Sequence, residues 1–209
     1  MNTYKIIVAR YNEDINWLEN EKNNCIIYNK GCKLNINNEI MLENKGRESE
    51  TYLQYIITNY YNLPDVVVFT QARISDHIGS NDINVLIQLK NDALLNGKSV
   101  PRIKHTETND YKNWEWNKDW NIICSSYSND KYKYKNNKTI SFYDWFKKNI
   151  DDKYPSPINI YKNAIFAIKK EKILQRNIDY YKKLILEVNY DINPIEGHFF
   201  ERSWYYIFS

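Results

Sequence analysis

Glycine and proline are scarce, with five of each in 209 residues. No Walker A loop and no Gly-x-Gly-x-x-Gly pattern occurs, so P-loop and dinucleotide-fingerprint readings fail at the motif level. A Gly-x-Ser-x-Gly elbow is also missing. The three histidines, His77, His105 and His198, cannot be assigned to a triad from their spacing. Cys25, Cys32 and Cys124 are an odd set without CxxC spacing, which points to reduced structural thiols. No window approaches the roughly 20 apolar residues a membrane span needs. Few apolar residues precede Arg10, so a cleaved signal peptide is not expected. A cytoplasmic protein with no transmembrane segment follows as the expectation. Charge is nearly balanced, at +3 overall, too mild to argue for a nucleic-acid partner.

Asparagine, lysine, isoleucine and tyrosine are abundant instead, a mix that follows the codons of an AT-rich genome. The 19 Tyr and 6 Trp are less easily assigned to coding bias. Aromatic residues line carbohydrate and base sites, although most pack in cores. At this length one domain, residues 1–209, can bury a core without disulfide staples.

The leading signal is Tyr4-Lys-Ile-Ile-Val-Ala-Arg-Tyr-Asn-Glu-Asp14, an apolar run ending in a polar cluster. Such a run reads as a buried strand, and open α/β sheets bind ligands beyond the carboxyl ends of their strands. A short helix capped by Asn12 or Asp14 is expected next, then a strand at 25–29 halted by Lys30-Gly31. Residues 45–61 form a helix in which Leu53, Ile56, Ile57 and Tyr60 make one apolar stripe, ended by Asn62-Leu-Pro64. The stretch 65–70 is continuously apolar and β-branched, as in the centre of a parallel sheet. A helix over 82–95 ends at Gly97. Residues 98–138, with Trp114, Trp116 and Trp120, are too long for an ordinary connection. Then come a helix over 141–150, a strand near 158–168, a long helix over 170–189 and a closing helix over 198–208. Alternating elements argue for an α/β domain with a mostly parallel central sheet flanked by helices.

Three constellations offer chemistry. Gln71, Arg73, Asp76 and His77 fall just past the apolar strand. Oxygen and imidazole ligands suit Mn²⁺, carboxylate with substrate phosphate suits Mg²⁺, and Arg73 has the planar fork that clamps a phosphate. The alternative is a polar loop whose Asp76 caps a turn. Gly46-Arg-Glu-Ser-Glu50 begins a helix, where free N–H groups, the dipole and Arg47 attract anions. Alternatively, Glu48 and Glu50 simply complement that dipole. In the terminal helix, Phe200, Trp204, Ile207 and Phe208 form the buried stripe, while His198 and Glu201 share a face. A carboxyl beside aromatic surface has a raised pKa suited to a general base; the alternative is a structural ion pair with Arg202 or Arg47.

An ordered set of motifs then stands out. Val8-Ala-Arg-Tyr-Asn-Glu-Asp14, Tyr28-Asn-Lys-Gly31, Asn44-Lys-Gly-Arg-Glu48, Asn62-Leu-Pro-Asp65, Phe69-Thr-Gln71, Asp76-His77 and Phe200-Glu-Arg-Ser-Trp204 run from one end of the chain to the other. The set resembles a family found in fungi and large viruses and catalogued as a domain of unknown function. It also looks like the small GT-A glycosyltransferase domains of large DNA viruses. That resemblance implies a single GT-A-like domain using a nucleotide-diphosphate sugar, a UDP-sugar in the leading reading, with Mn²⁺ or Mg²⁺. The acceptor would be a hydroxyl on a glycan or glycoprotein, and a viral protein would act in the infected host cytoplasm.

Carried over, Ala9, Arg10, Tyr11 and Asp14 would hold the nucleotide, with Arg47, Gln71 and Arg73 nearby. The Asp-x-Asp metal motif is replaced by Gln71-Ala-Arg73, which shifts any metal onto Asp76 and His77. Glu201 is then the first candidate for the proton acceptor in an inverting transfer, and Asp76 the second. Two rivals stand beside this reading. One is a catalytically silent sugar or nucleotide-sugar binding domain. The other is a nucleic-acid binder using Lys131-Tyr-Lys-Tyr-Lys135.

Overall fold

The computed structural model describes residues 2–100, 103–105, 135–138 and 140–209. Its centre is a five-stranded sheet in the order β3-β2-β1-β4-β7. The strands are β1 (Tyr4–Arg10), β2 (Cys25–Asn29), β3 (Glu39–Met41), β4 (Val66–Gln71) and β7 (Phe166–Lys169). The first four are parallel, and β7 joins β4 antiparallel, with Phe69 opposite Phe166. Two further strands, β5 (Ile103–His105) and β6 (Ile158–Ile160), form a separate antiparallel pair.

Side chains alternate across the sheet and build a different core on each face. Ile7, Val67, Phe69, Phe166 and Ile168 point to an aromatic-rich face. It is covered by α1 (Arg47–Asn59), α4 (Phe142–Asn149), α6 (Ile178–Ile185) and α7 (Glu196–Ile207). Ile6, Val8, Ile27, Val66 and Val68 point to a smaller aliphatic face under α3 (Ile83–Asn96) and the 3₁₀ turn Asn16–Glu21. Burying each such side chain contributes roughly 1.5–3 kcal/mol, so both faces stabilise the sheet strongly. Tyr52 ties the aromatic layers together, with ring centroids 4.9 Å from Phe69 and 5.8 Å from Trp204.

Local signals placed most of these elements. Asp82 caps α3 through the Asn84 amide, Gly97 closes it in the left-handed conformation, and Ser141 caps α4 through the Asp144 amide. Two expectations are corrected. The strand expected near 158–168 is two strands, broken by a turn at Lys162–Ala164. β6 pairs with β5 while β7 pairs with β4, so the segment must change sheets. The long helix expected over 170–189 is α5 (Lys170–Ile173) followed by α6. Asn177 restarts the helix by accepting the Tyr180 amide at 2.9 Å, as asparagine does at N-caps. Most of 98–138, with its three tryptophans and Cys124, lies outside the described residues.

Candidate functional site

Strands β2 and β3 lie on one side of β1, and β4 on the other, so the loops leaving β1 and β4 diverge at the carboxyl edge of the sheet. α1 and α7 both begin at that edge. Tyr60, beyond the far end of α1, donates to the Arg176 carbonyl at 2.6 Å, and Arg176 in turn reaches Ser209 just past α7. The two helices therefore run side by side from the carboxyl edge towards the amino edge.

Around β1 and β2 the polar residues form a closed knot. Arg10 is buried, and its Nε donates to the Glu13 carbonyl at 2.9 Å. Its Nη1 donates to Asn29 Oδ1 at 2.9 Å, to the Cys32 carbonyl at 3.0 Å and to the Tyr11 carbonyl at 3.2 Å. Asn29, opposite Arg10 in the strand register, also receives the Gly31 amide at 3.0 Å and donates to Glu39 Oε1 at 2.6 Å. Gly31 is required here: a Cβ would stand 1.7 Å from the Tyr11 carbonyl oxygen. Arg10, expected to hold a nucleotide, thus binds the loops together. Its guanidinium faces protein carbonyls. Asn29 was missed by sequence reasoning, although a polar residue closing an apolar strand was the available signal.

The other residues assigned to β1 do line its edge. Ala9 is half-buried and its carbonyl accepts the Ala72 amide at 2.9 Å. Tyr11 is exposed, with its amide on Glu13 Oε2 at 2.7 Å. Asp14 is exposed and accepts the Asn16 amide at 3.3 Å.

Past β4, Gln71 donates to the Asn163 carbonyl at 3.1 Å, and its Oε1 lies 3.0 Å from His77 Nε2. Arg73 and Asp76 form an exposed ion pair at 2.8 Å. Asp76 and His77 are adjacent in α2 (Ser75–Ile78), yet their contacts turn them to Arg73 and Gln71. Among the described residues no group of three or more His, Cys, Asp or Glu lies together to hold a metal ion. As arranged, with Asp76 paired to Arg73 and His77 turned to Gln71, the two do not fit a cation site.

The mouth between α1 and α7 is ionic and strained. Gly46 and Arg47 take φ of 62° and 51°, and Asn163 and Ala164 take 55° and 57°. Left-handed conformations cost L-residues roughly 1–2 kcal/mol each, and they collect at functional sites. Tyr52 donates to the Ala164 carbonyl at 3.1 Å, which links the two turns across the end of β4. Lys30 fastens the α1 turn from below. It donates to the Lys45 and Arg47 carbonyls and pairs with Glu50 at 2.7 Å. Burial pulls its ammonium pKa down, although Glu50 opposes the shift.

On α7, Arg202 Nη1 donates to Glu201 Oε2 at 2.9 Å and to the His198 carbonyl at 3.0 Å. His198 Nδ1 lies 3.7 Å from the same Glu201 oxygen. Burial pulls His198 down to about 4, against the Glu201 carboxylate, with Arg47 and Arg202 lowering it further. Burial also works to raise Glu201, but Arg202 and His198 overcome it and hold the carboxyl at about 2. Of the two readings of Glu201, the ion pair with Arg202 is the one present, and its ionic partners outweigh the desolvation that would raise the carboxyl.

Sequence reasoning also missed a second buried cluster. Glu187 receives Lys135 Nζ at 2.9 Å and Trp145 Nε1 at 3.2 Å, while Glu196 accepts the Tyr190 hydroxyl. Burial raises the Glu196 pKa, with Glu187 adding to the effect. Lys135, the last residue of the aromatic and basic run considered for nucleic acid, is committed to Glu187; the rest of that run lies outside the described residues. A cavity of about 820 Å³ lies elsewhere, lined by Ile15, Leu18, Cys25, Ile27 and Leu34 near the amino ends of β1 and β2. Burial pushes the Cys25 thiol up to about 12, in keeping with an inert structural thiol.

The family model described as "Protein of unknown function (DUF3431)" matches residues 6–209. The chain belongs to that family. The match covers β1 from Ile6 onward, both helix starts at the mouth and the whole of α7, so the knot and the ionic mouth both fall inside the family domain. No curated protein and no solved structure matches the chain. Among the described residues no helix is long and apolar enough to cross a membrane.

Proposed function

We propose that this DUF3431 protein is a GT-A-like glycosyltransferase that moves a sugar from a nucleotide-diphosphate donor, a UDP-sugar, to a hydroxyl of a glycan or glycoprotein, with inversion. The observation that carries the reading is the carboxyl edge of the sheet, where the loops leaving β1 and β4 diverge and α1 and α7 both begin, with Arg47 beside Gly197. Helix N-termini and arginine suit a diphosphate, and they stabilise the negative charge that grows on it as the sugar leaves. The acceptor oxygen attacks the anomeric carbon. The bond from that carbon to the phosphate oxygen breaks, and its electron pair departs with the diphosphate. The hydroxyl proton passes to a carboxylate. A divalent cation would assist only if Asp76 exchanged Arg73 for the metal.

A second reading, nucleotide-sugar binding without transfer, is favoured by Gln71-Ala-Arg73 in place of paired aspartates and by the Asp76–Arg73 pair. Thermal unfolding with UDP- and GDP-sugars, each with Mn²⁺, Mg²⁺ or EDTA, tests the proposal, because a ligand of the native state raises its apparent stability. The expected result is stabilisation by one nucleotide class, followed by transfer to an added glycan acceptor. Loss of that stabilisation in EDTA would assign a metal. Donor binding without turnover on varied acceptors supports the silent domain, and no stabilisation by any donor overturns both.

A further inference from the structure

The turn that leaves β4 is pinned on both sides of Arg73. The Ala72 amide donates to the Ala9 carbonyl at 2.9 Å, and the Ala72 carbonyl accepts Trp17 Nε1 at 2.8 Å. Asn81 Oδ1 accepts the Ile74 and Ser75 amides, each at 2.9 Å. Ala72 and Ile74 are both buried. Arg73 is therefore held between two buried neighbours where β1 and β4 end side by side, Ala9 opposite Gln71, and its side chain is 58% exposed. Arg10 and Arg202, by contrast, are buried and bound to protein oxygens. Asp76 takes the Arg73 Nε at 2.8 Å, and among the described residues no hydrogen bond engages Nη1 or Nη2. Such a fork suits the oxygens of a phosphate.

The same place is poorly furnished for a cation. Gln71 is engaged at both ends of its amide, Nε2 with the Asn163 carbonyl at 3.1 Å and Oε1 with His77 at 3.0 Å. The Asp76 carboxylate already faces a full positive charge. A divalent cation on Asp76 would stand beside the Arg73 guanidinium, and like charges at that range repel.

We propose that Arg73 takes the place of a metal ion at the end of β4, so that this edge binds a nucleotide diphosphate without a divalent cation. The inference rests on the sugar transfer proposed above. As the bond from the anomeric carbon to the phosphate oxygen breaks, the electron pair stays on the diphosphate. Its growing charge is met by a guanidinium that is protonated at any working pH.

The test is thermal unfolding of the full chain titrated with UDP, GDP and their sugars, in EDTA and in Mn²⁺. For the nucleotide that binds, the affinity is expected to agree within about threefold between the two conditions, the scatter expected of context. Arg73→Gln is expected to weaken the diphosphate by about 10-fold or more, as loss of a charged hydrogen bond does, and to weaken the corresponding monophosphate less. Its unfolding temperature without nucleotide should stay near that of the wild type, because an exposed ion pair contributes little. Asp76→Asn removes a charge but keeps an acceptor for Nε, and is expected to bind the diphosphate at least as tightly as the wild type in both conditions. Binding that collapses in EDTA and returns with Mn²⁺ overturns the inference and leaves the transfer reading intact. So does wild-type diphosphate affinity in Arg73→Gln, or a loss in Asp76→Asn confined to Mn²⁺. No shift by any nucleotide or nucleotide sugar in the wild-type chain overturns the transfer reading and this inference with it.

Discussion

The carboxyl edge of the sheet is built in two contrasting ways. Around β1 and β2, Arg10 and Asn29 spend their polar groups on loop carbonyls, amides and one another, and Gly31 admits a backbone approach that no side chain would allow. Between α1 and α7 the arrangement is looser and charged. Two pairs of left-handed residues flank the mouth, Arg47 and Glu48 meet at 3.8 Å, and His198, Glu201 and Arg202 share one oxygen. Buried polar groups stabilise a fold only when they are satisfied, so the knot reads as scaffold. Left-handed strain of the kind seen at the mouth collects at functional sites, and it sets this region apart from the knot. The difference separates Arg10, which organises loops, from Arg47, the arginine of the proposed donor site.

The contrast can be broken most severely at Gly31. Gly31→Ala must push the Tyr11 carbonyl aside, and we expect a loss of about 3 kcal/mol in chemical denaturation. A loss below about 0.5 kcal/mol, the range of ordinary surface changes, would show that the knot is slack.

A smaller effect is expected from pH at the mouth. His198 has its pKa lowered to about 4 from 6.5, so the unfolded chain binds the extra proton between those values and stability falls as pH falls through that window. Glu201, lowered to about 2 from 4.5, contributes stability that is present above its unfolded pKa and is lost as pH falls towards its folded one. His198→Gln should flatten the loss between pH 6.5 and 4 and weaken the lower one, which Arg202 alone then sustains. Unchanged slopes in urea titrations across pH would contradict this account of the mouth.

The smallest effect sharpens the comparison from the opposite direction. Ala164 is buried at φ 57°, so Ala164→Gly should relieve strain and raise stability by about 1 kcal/mol, read as a higher midpoint in thermal unfolding. A drop instead would place the turn among the ordinary packing elements.

Much of the scaffold was legible in the residue order. The run ending at Arg10, the apolar 65–70 stretch and the phase of Leu53 and Ile56 on α1 all carry local signals of the right period. The 158–168 segment misled because its apolar residues serve two sheets, and a pattern along one strand does not say which partner each half meets. Glu201 was legible only as two alternatives, a raised carboxyl or an ion pair with Arg202 or Arg47. Its neighbour Arg202 is evident in the sequence, but whether burial or the ion pair dominates depends on distances that the helix and its surroundings set together.

The sequence by itself determined the periods: which stretches are strands, which faces are apolar, and where Asp82, Gly97 and Ser141 start and stop helices, because these follow from short-range sterics and hydrogen bonding. Only the tertiary structure decided what the charged groups do. Arg10 turns inward because Asn29 stands opposite it in the register, and Lys30 is buried under the α1 turn. Tyr52 and Tyr55 anchor α1 on Phe69 across the sheet. Electrostatic roles depend on distance and burial, and both are set by contacts between residues far apart in the chain.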